Sequence, residues 1–224
     1  MQKTQALAAM IVLGGIGPAG SEVKKTVIEL PVPALNSDDS AGGILVAELN
    51  GDGKPDFLVT RRGHVAAMDN GGKKLWGLGI DIGVTSQSES NGLPGHNGPG
   101  IGAGDLDGDG RPEVIFPVRD GSIEILDGGS GKREAIVRPP VPEGAERWDL
   151  AMVADFRGNG DHDVLLQATN KGGYRTGRYL AAYGYEALRK GGPPLWTMDD
   201  YVGCAHNGAR LADLDGDGRD EVLG

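Results

Sequence analysis

Apolar positions in this chain come in short runs broken by polar turns, and the runs return several times in the same order. A run of small and apolar residues, 43–49 (GILVAEL), leads into an acidic stretch, and a β-branched and aromatic run, Phe57 to Thr60, leads out of it. A glycine-bearing turn at 61–63 joins an alternating segment at 64–69, and a second turn at 70–73 joins a fourth run at 74–80. The same order repeats at 100–106, 114–118, 122–127 and 133–137, and a third unit opens at 151–156. Alternation of period two bounded by Gly, Asn and Asp is what a strand with two unlike faces requires. Each unit is therefore predicted to be four antiparallel strands.

One acidic loop lies between the first and second runs of each unit. Its four copies are Glu48–Asp56 (ELNGDGKPD), Asp105–Glu113 (DLDGDGRPE), Asp155–Asp163 (DFRGNGDHD) and Asp213–Glu221 (DLDGDGRDE). A period of about 50–60 residues marks a propeller or solenoid array, and four antiparallel strands per repeat make a propeller blade. The predicted fold class is all-β: a β-propeller of four-stranded blades with units near 42–98, 99–148, 149–207 and an incomplete 208–224. About three and a half blades cannot close, so the chain is expected to be part of a larger propeller and prone to associate through its open edge.

The spacing inside each loop specifies a cation. Asp105, Asp107 and Asp109 alternate with Leu106 and Gly108, and Glu113 brings a further carboxylate to the end of the loop. Converging carboxylates suit Ca²⁺, which takes about six to eight oxygen ligands at roughly 2.3–2.6 Å. Asp213, Asp215, Asp217 and Glu221 repeat the set, and Glu48, Asn50, Asp52 and Asp56 form a plausible third one. The Asp155–Asp163 loop puts Arg157 where a ligand should point, so it is expected to be metal-free or weak. An EF-hand is excluded, because its twelfth loop position would carry the bidentate Glu and here holds Phe116 in the second copy.

A strand, a D-x-D-G-D-G-x-x-D/E loop and a second strand at this period resemble the FG-GAP (VCBS-type) repeats of integrin-type β-propellers, from Gly42 to the end. A narrower stretch, GYRTGRYLAAYGYEALRKGGPPLW followed by CAHNGARLADLDGDGRDEVLG, resembles the calcium-containing propeller polysaccharide lyases of the rhamnogalacturonan and ulvan lyase type. The first resemblance implies architecture alone, because these blades serve adhesion, binding and catalysis alike. The second implies a lyase acting on an acidic glycan.

Composition changes this picture in two respects. Many glycines and few aromatics fit a turn-dense all-β chain. Lys3, the apolar run Ala6 to Ile16 and Pro18-Ala19-Gly20 suggest an export signal over 1–20, too short for a membrane span, followed by a linker or first strand at 21–41. A secreted or periplasmic location, where calcium is plentiful, is the expectation. Cys204 has no partner for a disulfide within the chain, and with His206 it makes no zinc site.

The net charge of −10 counts against a polyanionic partner only if the charge is spread evenly. Up-and-down strands put the acidic loops and the third-to-fourth turns on one face. The opposite face then receives Arg61, Arg62, His64, Arg119, Lys171, Tyr174, Arg175 and Arg178, with His96 and His206 from the links between units. An acidic, uronate-containing polysaccharide is the expected partner there, with no nucleic acid and no membrane span. β-Elimination on such a glycan needs a base, a carboxylate clamp and an acid. The assignment is His96 or His206 as base, Arg175 with Arg178 as clamp, and Tyr174 or Tyr183 as acid, although alternation across 180–186 could equally make Tyr183 blade packing. The alternative is a noncatalytic carbohydrate- or protein-binding propeller stabilised by Ca²⁺.

Overall fold

The computed structural model describes residues 8–12, 25–29, 42–61, 63–82, 100–171, 178–199 and 209–223. Strand β1 (Ala8–Val12) pairs antiparallel with β2 (Lys25–Glu29). Three four-stranded antiparallel sheets follow, each a simple meander. The first contains β3 (Gly42–Ala47), β4 (Asp56–Arg61), β5 (His64–Met68) and β6 (Lys74–Gly79). The second contains β7 (Gly102–Gly104), β8 (Glu113–Pro117), β9 (Ile123–Asp127) and β10 (Arg133–Val137). The third contains β11 (Ala145–Ala154), β12 (Asp163–Asn170), β13 (Arg178–Gly184) and β14 (Trp196–Met198). A final hairpin, β15 (Arg210–Ala212) and β16 (Glu221–Leu223), encloses the fourth acidic loop.

The two-residue period of each strand divides its side chains between two cores. On β8, Val114 and Phe116 pack towards the first sheet, with Leu49, Leu58, Val65 and Trp76. Ile115 faces the other way and joins Trp148, Val164, Leu166 and Tyr183 of the third sheet. Strands β4 and β8 are buried on both faces, which is why they are the most continuously apolar runs in their units. The fourth strands β10 and β14 are largely exposed, as outer edges of blades. Among the described residues the sheets follow one another without closing a ring.

The small residues of the first strands are required by close approach between neighbouring sheets. A Cβ on Gly102 would lie 3.0 Å from the Val153 amide nitrogen, and one on Gly104 only 2.8 Å from Val153 Cγ1. Strands β3 and β7, and β7 and β11, are accordingly in contact. At the opposite margin of the first two blades, buried Trp76 donates its indole N–H to the Gly128 carbonyl at 2.6 Å. The turn carrying Gly128 folds over that ring, and Gly131 there has φ +67°.

The third sheet departs from the sequence pattern at both ends. Strand β11 starts at Ala145 rather than 151 and absorbs the extra length in register shifts at 145/147 and 148/150. The segment expected to run as a strand to Glu186 leaves the sheet after Gly184 and forms helix α1 (Tyr185–Arg189). Helix α1 buries Tyr185 and Leu188, three residues apart on one face. Lys190 pairs with Glu186 at 2.6 Å, and Gly191, at φ +68°, ends the turn.

Gly131→Ala should be destabilising, because the new Cβ would enter the Trp76 ring at 2.5 Å in a left-handed backbone position. The expected cost is about 1–3 kcal/mol, the usual range for overpacking. It should appear as a lower urea midpoint, and an unchanged midpoint would show that the Trp76 contact does not hold the two blades together.

Candidate metal centres in the acidic loops

Every acidic loop is closed by the same contact. The carboxylate at the ninth position accepts the backbone N–H of the second: Leu49 to Asp56 at 3.1 Å, Leu106 to Glu113 at 2.8 Å, Phe156 to Asp163 at 3.0 Å and Leu214 to Glu221 at 2.8 Å. Two glycines with positive φ make the reversal possible, Gly108 and Gly110 at +79° and +84° in the second loop and Gly216 and Gly218 at the same angles in the fourth. Their N–H groups converge on the first aspartate, Gly108 and Gly110 on Asp105 at 2.9 and 3.0 Å, Gly216 and Gly218 on Asp213 at 2.7 and 3.0 Å.

What the loops offer a cation differs from copy to copy. In the second, one oxygen each from Asp105, Asp107 and Glu113 lie within 4.8 Å of one another, and Asp213, Asp215 and Glu221 do the same in the fourth. Two oxygens bound to one Ca²⁺ at about 2.4 Å can be no more than about 4.8 Å apart, so both sets fit a hard divalent ion. Asp109 and Asp217, expected as ligands, lie outside these sets. Asp109 accepts the Arg111 N–H at 2.9 Å and pairs with its guanidinium at 2.6 Å, which holds the Asp109 carboxyl below its usual range. Asp217 accepts the Arg219 N–H at 2.9 Å.

In the first loop the four expected ligands Glu48, Asn50, Asp52 and Asp56 do not yield three converging acids among the described residues. Both Asp56 oxygens are occupied, one by Leu49 N–H and the other by Asn70 N–H at 2.9 Å. Asp52 accepts the Asn70 side-chain amide at 3.1 Å, and Glu48 accepts Asn50 and Gly51 N–H at 2.9 and 2.7 Å. In the third loop Arg157 donates to buried Asp163 through Nε at 2.9 Å, and its Nη2 forms an ion pair with the same oxygen at 2.6 Å.

Electrostatically the second loop is the most demanding. Glu113 is 2% exposed, and burial, opposed by the Leu106 N–H and reinforced by Asp107 and Glu134, raises its pKa to about 7. Glu134 is itself pushed up by burial and by Asp127, Asp107 and Asp109. Tyr185, 1% exposed, sits within the field of Glu113 and Asp107, and its hydroxyl has no hydrogen-bond partner among the described residues. A buried carboxylate facing further acids and an orphaned hydroxyl is the setting in which a cation restores balance.

Adjacent loops also touch. His162 Nδ1 lies 3.1 Å from the Leu106 carbonyl, and Asp220 exchanges two hydrogen bonds with Asp155, accepting its N–H at 2.9 Å and donating N–H to its carbonyl at 2.8 Å. Both residues occupy the eighth loop position, which sequence reading passed over because Pro55 and Pro112 fill it elsewhere.

A cavity of about 350 Å³ between the second and third blades is lined by Arg138, Pro139, Tyr183, Leu188, Arg189 and Lys190, and another of about 330 Å³, between the third blade and the link at 140–143, by Pro140, Pro142, Trp148, Tyr179, Tyr183 and Met198 among others. Neither is lined by an acidic-loop residue.

Of the residues proposed for β-elimination, His96, Tyr174, Arg175 and His206 lie outside the described residues, as do Arg62 and Cys204. Arg178 begins β13 opposite Thr169. Tyr183 is 3% exposed in the core between the second and third blades, where burial raises its phenol pKa. Its register partner Val164 directly follows the third loop, so Tyr183 sits at the loop end of the blade, in the packing position that alternation across 180–186 left open. Arg61, expected on that opposite face, is 5% exposed, because β4 is covered on both sides. Arg119 faces Asp81 at 3.8 Å and Arg138 faces Asp120 at 2.8 Å, which tempers the positive charge of that face.

Comparison with protein families gives an FG-GAP-like repeat over residues 48–116 and 105–166, overlapping matches that span more than half of the chain. The chain belongs to the FG-GAP-like repeat family. Both matches run from one acidic loop through the strands to the next, so the family repeat and the structural repeat coincide. No curated protein sequence matches the chain. Similar solved structures include a europium-containing methanol dehydrogenase, with 17% identity, a TM-score of 0.44 and coverage of 74% of this chain and 27% of that one. A quinohemoprotein alcohol dehydrogenase from Comamonas testosteroni shows 20% identity and a TM-score of 0.42 over 71% of this chain and 21% of that one. The V. cholerae biofilm matrix protein Bap1 shows 22% identity and a TM-score of 0.43 over 82% of this chain and 28% of that one. The chain thus spans between a fifth and a third of the length of these structures.

The pKa of Glu113 sets a pH dependence for the second FG-GAP loop. A carboxyl raised from 4.5 to about 7 in the folded state stabilises the cation-free protein below pH 4.5, and that contribution is lost as pH rises through about 7. Cation binding has the opposite sign, since it needs the ionised carboxylate. Calcium affinity measured by calorimetry should therefore fall as pH drops below about 7, and Glu113→Gln should remove that component.

Proposed function

We propose that this chain is a noncatalytic binding propeller whose second and fourth FG-GAP loops use Ca²⁺ as a structural ion. The observation that carries the reading is that the converging carboxylates of Asp105, Asp107 and Glu113 are tied into their own loop backbone and line neither cavity. A cation there would neutralise a buried carboxylate and fix the loop, and it would not meet a ligand in those cavities. The donors are all oxygen, which selects a hard ion over zinc or copper. Export to a calcium-rich compartment belongs to the same proposal; among the described residues no helix is long and apolar enough to cross a membrane.

The partner proposed is an acidic glycan, met at the cavity that Arg138, Arg189 and Lys190 line. The partners of these side chains are the two carboxylates Asp120 and Glu186, so three cations against two anions leave a reduced but net positive charge for an approaching polyanion. β-Elimination is left to the test below: of the two tyrosines assigned as acid, Tyr183 is packed in the core, and Tyr174 and both histidines lie outside the described residues.

Two outcomes are expected. Calcium at a hundred times its dissociation constant should add about 2.7 kcal/mol per occupied loop, seen as a rise in Tm of roughly 5–10 °C for a chain of this size, and Asp107→Ala should reduce that rise. Incubation with rhamnogalacturonan or ulvan should give salt-sensitive binding without the ultraviolet absorbance of an unsaturated uronate. Appearance of that absorbance would replace the binding reading with a lyase.

A further inference from the structure

Among the changes that set the third loop apart, one inside the loop and one across the sheet from it fit each other. At its third position Arg157 stands where Asp107 and Asp215 stand. Across the sheet, Gly184 is the register partner of Asp163, while Asp127 is the partner of Glu113. The guanidinium occupies the room that this glycine leaves, since a Cβ on Gly184 would lie 3.2 Å from Arg157 Nη2 and 3.4 Å from its Cζ. From there it reaches Asp163 Oδ1 by Nε at 2.9 Å and by Nη2 at 2.6 Å, with the His162 carbonyl 3.4 Å from Nη2. Asp163 is fully buried, and its other oxygen closes the loop on the Phe156 N–H. The rest of the loop is built as in the others: Asp155 accepts Asn159 and Gly160 N–H at 2.8 and 2.9 Å, and Gly158 and Gly160 have φ +67° and +97°.

We propose that Arg157 is a tethered stand-in for the metal ion, filling a latent third site for a hard divalent cation that opens when the guanidinium is removed. A side chain at position three and a carboxylate at position nine are what the cation would bridge in the second loop, and here one of the two supplies the positive charge itself. The third blade is then closed at any calcium concentration, and it holds its neighbours through His162 to Leu106 and Asp155 to Asp220 even when the flanking loops are empty. The inference rests on the calcium reading of the second and fourth loops for its chemistry, and its test separates from that reading.

Calcium equivalents bound per chain, measured by equilibrium dialysis, should rise by one in Arg157→Asp relative to the parent and stay at the parent value in Arg157→Lys. No gain in Arg157→Asp overturns the proposal. Should that variant fail to fold without metal, amide hydrogen exchange on the parent chain decides: in chelator the Phe156 N–H should stay protected while Leu106 and Leu214 lose protection. Loss of Phe156 protection in step with the other two overturns the proposal. If Leu106 and Leu214 do not respond to chelator, the calcium reading of their loops fails, and the gain of an equivalent in Arg157→Asp or Arg157→Ser still tests the Arg157 inference by itself.

Discussion

The contact on which this structure depends is the hydrogen bond from the second residue of each acidic loop to the carboxylate at the ninth. It is made four times, by Asp56, Glu113, Asp163 and Glu221. Each ninth residue also opens the second strand of its sheet, so the bond fixes where that strand begins relative to the first. Closing the loop requires the chain to reverse within a few residues, and the paired positive-φ glycines permit this without strain. The cost is a carboxylate drawn into the protein, 2% exposed or less in the first three loops, and a buried charge needs a partner.

The blades answer that need in different ways. Asp56 receives a second N–H, from Asn70 in the β5–β6 turn at the same end of the sheet. Asp163 receives a guanidinium from its own loop. Glu113, which also accepts the Asp107 N–H, and Glu221 converge with two aspartates each. A backbone amide, a tethered cation and a site for a free cation thus appear at equivalent points of one repeat. Only the last leaves room for an ion from the surroundings, and Glu113 and Asp56, whose pKa values are both raised by burial, are the ninth-position carboxyls that link loop stability to pH.

Between the blades, rigidity comes from contacts that have no counterpart within a single repeat. Gly102 and Gly104 let two inner strands approach until a Cβ would collide with Val153, and Trp76 reaches out of the first blade to the Gly128 carbonyl of the second. His162 and Asp220 then join consecutive loops along the acidic face. The loops therefore act as a linked series, and a change at one is felt by the next through the backbone carbonyl or amide that the neighbour supplies.

Local order was legible in the sequence because it rests on local causes. Short apolar runs bounded by turn residues placed β4, β8, β9 and β10 within a residue or two, since a strand covered on both faces must be apolar throughout and a turn needs Gly, Asn or Asp, and the D-x-D-G-D-G spacing located both acid clusters, since nearby carboxylates on a tight loop must converge. The same spacing could not show that Asp109 turns to Arg111, that Asn70 closes off Asp56, or that Arg157 folds onto Asp163, because each outcome depends on a partner whose position the sheet decides. Tyr183 takes the packing position that alternation across 180–186 left open, and Arg61 sits at the expected end of β4 but buried, for a related reason: their exposure is set by the neighbouring sheet, and one sheet's alternation does not say which of its faces another blade will cover. The run into Tyr185 became a helix because Tyr185 and Leu188 can share one buried face against β10 and β13, a surface that exists only after the second and third blades have packed.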